Sequence, residues 1–116
     1  MKNSFKKTVL AVAVLLFLSV LTSCRMDNLP KGELQATYTS DDGKYEIAIF
    51  LCNGGATVDY SIRGELRDLE TDDTKNIYWN YHESEATVDW EDNDTVIING
   101  HKLNLPDDTY DFRTGF

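Results

Sequence analysis

The side chains able to do acid–base or nucleophilic chemistry are few and scattered. Only two histidines exist, His82 and His101, each beside a turn signal. A hydrolytic triad would need one of them to meet Ser40, Ser61 or Ser84 and a carboxylate, and no GxSxG elbow is present to expose a nucleophile. Ser61 falls in a regular alternating segment, a poor place for one. Oxygen-rich turns at Asp72-Asp73 and Asp92-Asn93-Asp94 have the chemistry of Ca²⁺ ligands, but no EF-hand spacing runs from Asp89 or Asp92. Zinc would need more thiolates and imidazoles than these. The residues therefore predict no enzyme, no metal and no cofactor. A small hydrolase around His82 or His101 is the third-ranked reading.

The two thiols differ in setting. Cys24 closes Leu21-Thr22-Ser23-Cys24, preceded by an apolar run, Val9 to Val20, and by a start that holds Lys2, Lys6 and Lys7 and no acid. This order of charged region, apolar region and small residues is that of a secretory signal, and twelve residues are too few for a bilayer-spanning helix. The last four residues resemble the lipobox of bacterial lipoproteins. That resemblance implies cleavage between Ser23 and Cys24 and a diacylglyceryl group on the Cys24 thiol, two acyl chains being enough for stable anchoring. Cys52 is then left without an intramolecular partner. With no Lys, Arg or His beside it in sequence, it reads as a half-buried strand residue.

Four aromatics, Tyr78, Trp79, Tyr81 and Trp90, lie close together. Trp79 and Tyr81 alternate with Asn80, and Trp90 follows Val88 on one strand face, as core residues do. Tyr78 falls on the opposite face with Asn76 and Asn80, so these three form the candidate ligand-binding set. Arg63 and Arg67 are the clustered cations, expected to pair with Asp59, Glu65 or an acid on a neighbouring strand.

The elements that would position these residues are strands. From Glu33 the apolar period is two: Leu34, Ala36 and Tyr38 alternate with polar neighbours, and Tyr45 to Leu51 is apolar nearly throughout. In Ala56 to Leu66, Val58, Tyr60, Ile62 and Leu66 are expected to point inward, with Asp59, Ser61, Arg63, Glu65 and Arg67 facing water. Ile77, Trp79 and Tyr81 form another inward set, and Ala86, Val88 and Trp90 a further one. Thr95 to Ile98 and Lys102 to Leu105 complete about seven strands. Asp41-Asp42-Gly43, Asn53-Gly54-Gly55 and Asn99-Gly100 supply residues that accept positive φ, the last reading as a two-residue type I′ hairpin. Leu69–Thr74 and Glu91–Asp94 suit longer exposed turns. The expected fold is an all-β antiparallel meander forming a small sandwich or open barrel, after an N-terminal signal-peptide helix.

The chain has 116 residues and a formal net charge of −9, which bounds the rest to one domain. Residues 1–23 read as signal peptide, 24–32 as the lipidated Cys and a linker, and 33–116 as a single β domain. Without residues 1–23 there remain 8 basic and 20 acidic side chains, a net −12. Such a domain excludes nucleic acid as a partner and stands off an anionic bilayer. The linker, Arg25 to Gly32, would reach about 28 Å at full stretch.

Three strings, CNGGATVDYSIRGEL (52–66), NIYWNY (76–81) and DNDTVIINGHKLNLPDDTYDFR (92–113), resemble a family of small lipoproteins from Bacillus-type, Gram-positive bacteria classed as a domain of unknown function. The likeness runs from Leu29 to Arg113. It implies a membrane-anchored, extracytoplasmic protein and assigns no active residues. Together these readings predict a non-enzymatic protein- or peptide-interaction module. It would be held on the outer face of the cell membrane by its lipid, with an envelope protein as partner. The alternative is a small-ligand or cell-wall-glycan binding module using Tyr78, Asn76 and Asn80.

Overall fold

A computed structural model describes Met26 and residues 28–115. The expected signal helix, the Ser23–Cys24 cleavage point and the acylated thiol lie outside the described residues. Eight strands are present: β1 (Glu33–Thr39), β2 (Tyr45–Asn53), β3 (Tyr60–Asp68), β4 (Thr74–Tyr81), β5 (Val88–Trp90), β6 (Thr95–Ile98), β7 (His101–Asn104) and β8 (Tyr110–Asp111). They form a five-stranded sheet, β1-β2-β3-β4-β8, and a three-stranded sheet, β5-β6-β7. The all-β reading holds, and the described residues contain no helix. The meander holds within β1–β4 and β5–β7. It is broken by β8, which returns to pair with β4 in parallel, Tyr78 opposite Tyr110 and Trp79 opposite Asp111.

The two sheets share one core. Tyr45, Ile47 and Ile49 of β2, Ile62 and Leu66 of β3, and Ile77 and Tyr78 of β4 meet Val96, Ile98, Leu103 and Leu105 from the smaller sheet and its flank. Fully burying an Ile of this kind stabilises by about 1.5–3 kcal/mol, so the seam between the sheets is where the fold is decided. Tight turns set the register. Asn99 and Gly100 take φ of 47° and 83°, as a type I′ turn requires, and the Asn99 side chain bonds to the Thr87 amide and the Glu85 carbonyl. At the β1–β2 turn the buried Ser40 hydroxyl donates to Asp42 Oδ1 at 2.7 Å and accepts from the Tyr45 amide at 3.1 Å.

Two bulges overturn expectations drawn from strict alternation. In β1, Leu34 pairs with Phe50 and Ala36 with Ile49, leaving Gln35 unopposed. Leu34 is thereby sent to the face opposite Ala36 and Tyr38 and is exposed. In β4, Gly64 pairs with Tyr78 but Glu65 with Asn76, so Ile77 is the extra residue. The bulge lets Ile77 and Tyr78, adjacent in sequence, both enter the core. Tyr78 was expected to be exposed and is fully buried: it packs over Gly64, where there is no side chain, and beside His101 and Tyr110. A third correction concerns Val58 and Tyr60, expected inward. The chain from Gly54 to Asp59 is loop, β3 starts at Tyr60, and both side chains are exposed.

Candidate functional site

The outer face of the five-stranded sheet, away from the small sheet, carries the unusual chemistry. Phe50 and Cys52 of β2, Ser61, Arg63 and Glu65 of β3, and Asn76, Trp79 and Tyr81 of β4 share it through the cross-strand pairs Phe50–Arg63, Cys52–Ser61, Arg63–Trp79, Ser61–Tyr81 and Glu65–Asn76. Alternation predicted that Ser61 and Arg63 would face water, yet both are buried, Arg63 to 5% exposure. The reason is the segment before β1. Residues 28–32 lie across this face as a strap, rather than extending as the free linker the sequence suggested.

Arg63 is what holds the strap down. Its Nε and Nη2 both donate to the Lys31 carbonyl, at 3.2 and 2.9 Å. Its Nη1 donates to Glu65 Oε2 at 2.7 Å and Asn76 Oδ1 at 2.6 Å, and the guanidinium lies 4.0 Å from the centre of the Phe50 ring. The Asn76 amide in turn donates to the Met26 carbonyl. A buried guanidinium needs its donors answered, and here a carboxylate, a carbonyl and an amide oxygen do so. The expected pairing of Arg63 with Glu65 is thus present. Arg67 meets Asp72 at 2.5 Å and Glu46 at 4.0 Å. Near the strap's end Gly32 has φ of 75°, and a Cβ there would stand 2.7 Å from the Cys52 sulfur, so only glycine lets the chain cross so closely.

Cys52 lies buried beneath the strap, its Sγ 3.5 Å from the Pro30 carbonyl. Burial pushes its thiol up, against a smaller opposing pull from Arg63. Sequence adjacency missed that cation, which arrives from the next strand.

Two depressions flank Arg63. One, of about 380 Å³, is lined by Leu29, Lys31, Phe50, Glu65, Thr74, Lys75 and Asn76 together with Arg63 itself. The other, of about 290 Å³, is walled by Pro30, Cys52, Val58, Trp79, Tyr81 and Phe112. Phe112 stacks on Tyr81 with ring centres 5.9 Å apart and tilts against Trp79 at 6.4 Å. Two of the large hydrophobic residues exposed among the described residues, Val58 and Phe112, border this hollow, whereas Leu34 lies beside Phe50 on β1 and lines a separate depression. The acids Asp41, Asp42, Asp68, Glu70, Asp72 and Asp73 occupy the turns at the opposite end of the sheet.

The candidate ligand set from the sequence does not come together. Tyr78 is buried, its hydroxyl donating to Glu83 at 2.6 Å and accepting from Asn80 at 3.3 Å. Desolvation raises its ionisation well above the ordinary tyrosine range. Asn80 follows Tyr78 to the core face, whereas Asn76 sits on the outer face with Arg63. Among the described residues the exposed aromatics are Tyr60 and Phe112. Trp79 is buried, as expected, and Trp90 and Tyr81 are half-buried.

His82 is exposed at φ of 62°, with Nδ1 2.8 Å from Asp59 Oδ2. That bond holds the Asp59 carboxyl below its usual range. His101 is stacked on Tyr110 at 3.8 Å. Among the described residues no serine hydroxyl is hydrogen-bonded to either imidazole. No group of three or more His, Cys, Asp or Glu gathers there as a metal site.

These observations define a two-sheet β domain with a strapped outer face and an aromatic-walled hollow at one end. The chain belongs to DUF5412, a family of unknown function whose model matches residues 4–115. No curated protein and no solved structure matches it.

Proposed function

We propose that this protein is anchored by a lipid on Cys24 to the extracytoplasmic face of the cell membrane and acts there as a non-enzymatic docking module for an envelope protein. The anchor rests on Lys2, Lys6 and Lys7, the apolar run Val9 to Val20, and Leu21-Thr22-Ser23-Cys24. The resemblance to small lipoproteins of Gram-positive, Bacillus-type cells supports the same address.

The observation that carries the docking role is the pair of exposed hydrophobic side chains, Val58 and Phe112, that border the Trp79–Tyr81 hollow. Isolated exposed hydrophobics need no explanation, but a pair beside a hollow marks a contact surface. The strap adds direction. It runs from Asn76 toward Cys52, so the chain leaves the domain at the start of β4 and the apolar end points away from the anchor. The net charge of −12 acts over the domain as a whole and favours a basic partner over an acidic one. The occupant we assign is therefore an extended basic segment of an envelope protein that inserts an aromatic or aliphatic side chain beside Phe112.

A photo-reactive residue at position 58 or 112 tests this, with one at Leu69, exposed in the β3–β4 turn, as the control. The reading expects one common product from 58 and 112 and none from 69. The identified partner, once purified, should bind the full chain more weakly as salt rises. Equal products from all three positions, or salt-independent binding, would overturn the docking role. The anchor is tested separately: Cys24→Ala should abolish processing and detergent partitioning, and no change in either refutes it.

A further inference from the structure

The hollow walled by Trp79, Tyr81 and Phe112 has an uneven balance of hydrogen-bonding groups. None of the side chains that line it is charged, although the domain is strongly acidic. Ser61, only 7% exposed, lines the hollow, and its hydroxyl bonds to nothing among the described residues. The Trp79 indole N–H, which shares the lining, has no acceptor among the described residues either. The Tyr81 hydroxyl oxygen accepts from the Asp59 amide at 3.0 Å, and its own proton is left to donate. Asn53 Oδ1 accepts from the Gly55 amide at 3.1 Å, which leaves the hydrogens of that side-chain amide free. Four donors thus stand unanswered, whereas the Tyr81 and Asn53 oxygens each already hold a hydrogen bond.

A fitting occupant must bring acceptors, few donors, no charge at the seated residue, and an apolar body to lie against the rings. Proline meets each demand. It has no N–H, and the polyproline II backbone it favours has no internal hydrogen bonds, so its carbonyls stay open to donors. We propose that the hollow binds a proline-bearing extended segment of the partner, its proline ring against Phe112 and its carbonyls accepting from Ser61 and the neighbouring donors. This rests on the docking reading and names the residue that the partner inserts. The fold already holds such a segment on the same face. Leu29-Pro30-Lys31 of the strap crosses it, Pro30 forms one wall of the hollow, and the Pro30 carbonyl accepts from the Cys52 thiol. The partner's basic residues remain outside the uncharged hollow, within the field of the acidic domain. At about 290 Å³ the hollow sits at the lower end of the range of ligand pockets, which suits one or two residues of a segment. A saccharide also stacks on aromatic rings, but its hydroxyls bring further donors to a hollow that already has them in excess.

The test uses the full chain in neutral detergent, its tryptophans labelled with nitrogen-15 and read by nuclear magnetic resonance. The probe is a pool of blocked heptapeptides with lysine at both ends and proline fixed at two inner positions, against the same pool with alanine at both. The proline pool should shift the Trp79 indole resonance and leave unmoved that of Trp90, whose Nε1 is buried. The alanine pool should bind about tenfold more weakly or not at all. Ser61→Ala deletes a hydroxyl that has no partner in the fold, and should weaken binding of the proline pool about threefold to tenfold, the loss of one neutral hydrogen bond. Phe112→Ala, at an exposed side chain, should weaken it further. Equal binding of the two pools, an unmoved Trp79, or binding indifferent to Ser61→Ala overturns the proposal. A Trp79 shift from a chitin trisaccharide, with none from the proline pool, overturns it in favour of a glycan. If the proline effect is absent while positions 58 and 112 still give one common cross-linked product, only the proline is struck. If both fail, the docking reading falls with it.

Discussion

Arg63→Ala is the perturbation that most directly probes how the strap is held. The change removes four side-chain hydrogen bonds: two to the Lys31 carbonyl, one to Glu65 and one to Asn76. It also uncovers the Phe50 ring that the guanidinium shields. Breaking a buried ion pair by removing one partner costs about 3–5 kcal/mol. Glu65 is 26% exposed, so water can rehydrate part of its charge and the lower end of that range applies. If the strap lifts away, its carbonyls also regain water, which lowers the expected loss to about 2–3 kcal/mol. For a domain of this length each kcal/mol moves Tm by about 4–8 °C, giving a drop on the order of 10–20 °C. Two assays separate local from global effects. Thermal unfolding followed by circular dichroism reports the total. Amide hydrogen exchange over residues 28–33, at a temperature where the variant is folded, reports the strap. The reasoning requires exchange there to rise toward that of a free chain while the β2, β3 and β6 amides stay protected. A Tm within about 2 °C of the parent, or a strap still protected, would refute the account of Arg63 as its clamp.

Three further outcomes follow from particular contacts. Gly64→Ala puts a Cβ 2.9 Å from the Tyr78 Cβ and 3.5 Å from Ile98 Cδ1, so strain at the sheet–sheet seam should cost about 1–3 kcal/mol in urea unfolding. An unchanged midpoint would mean that the bulge at Ile77 slides freely. Cys52, buried under Pro30 with its thiol pushed up by burial, should react slowly with iodoacetamide near neutral pH, where little thiolate exists, and faster only as pH passes its ordinary ionisation range. Arg63→Ala should accelerate that reaction by lifting the cover, even though it removes the one cation favouring the thiolate. Asn99→Ala puts a residue that tolerates the left-handed region less well than asparagine at φ of 47° and deletes bonds to the Thr87 amide and Glu85 carbonyl. A loss of about 1–3 kcal/mol is expected, whereas Asn99→Gly, which keeps the turn, should lose less.

What could be read along the chain was what local chemistry decides. The strand period, the positive-φ residues at Gly43, Asn99 and Gly100, and the exposed acidic turns depend on neighbours a few residues away, and each appears where its residues indicated. Tyr45 to Leu51 read as apolar nearly throughout, and only the sheet separates its two faces, Tyr45, Ile47 and Ile49 entering the core while Phe50 and Cys52 lie on the strap's face. The failures have a common physical cause. A bulge reverses the phase of a period-two pattern, and nothing local to Gln35 or Ile77 announces one. Tyr78 was thus assigned to water, though the open space above Gly64, set by pairing across strands, draws it into the core.

The outer face depended even more on distant chain. Arg63 is buried because residues 28–32, some thirty positions earlier, lie over it. The residues by themselves determined that the domain is acidic, built of strands, and preceded by a segment with the order of a lipoprotein signal. Only the tertiary structure decided which cations meet which acids, because charge pairing is a matter of distance in space and not of spacing in sequence.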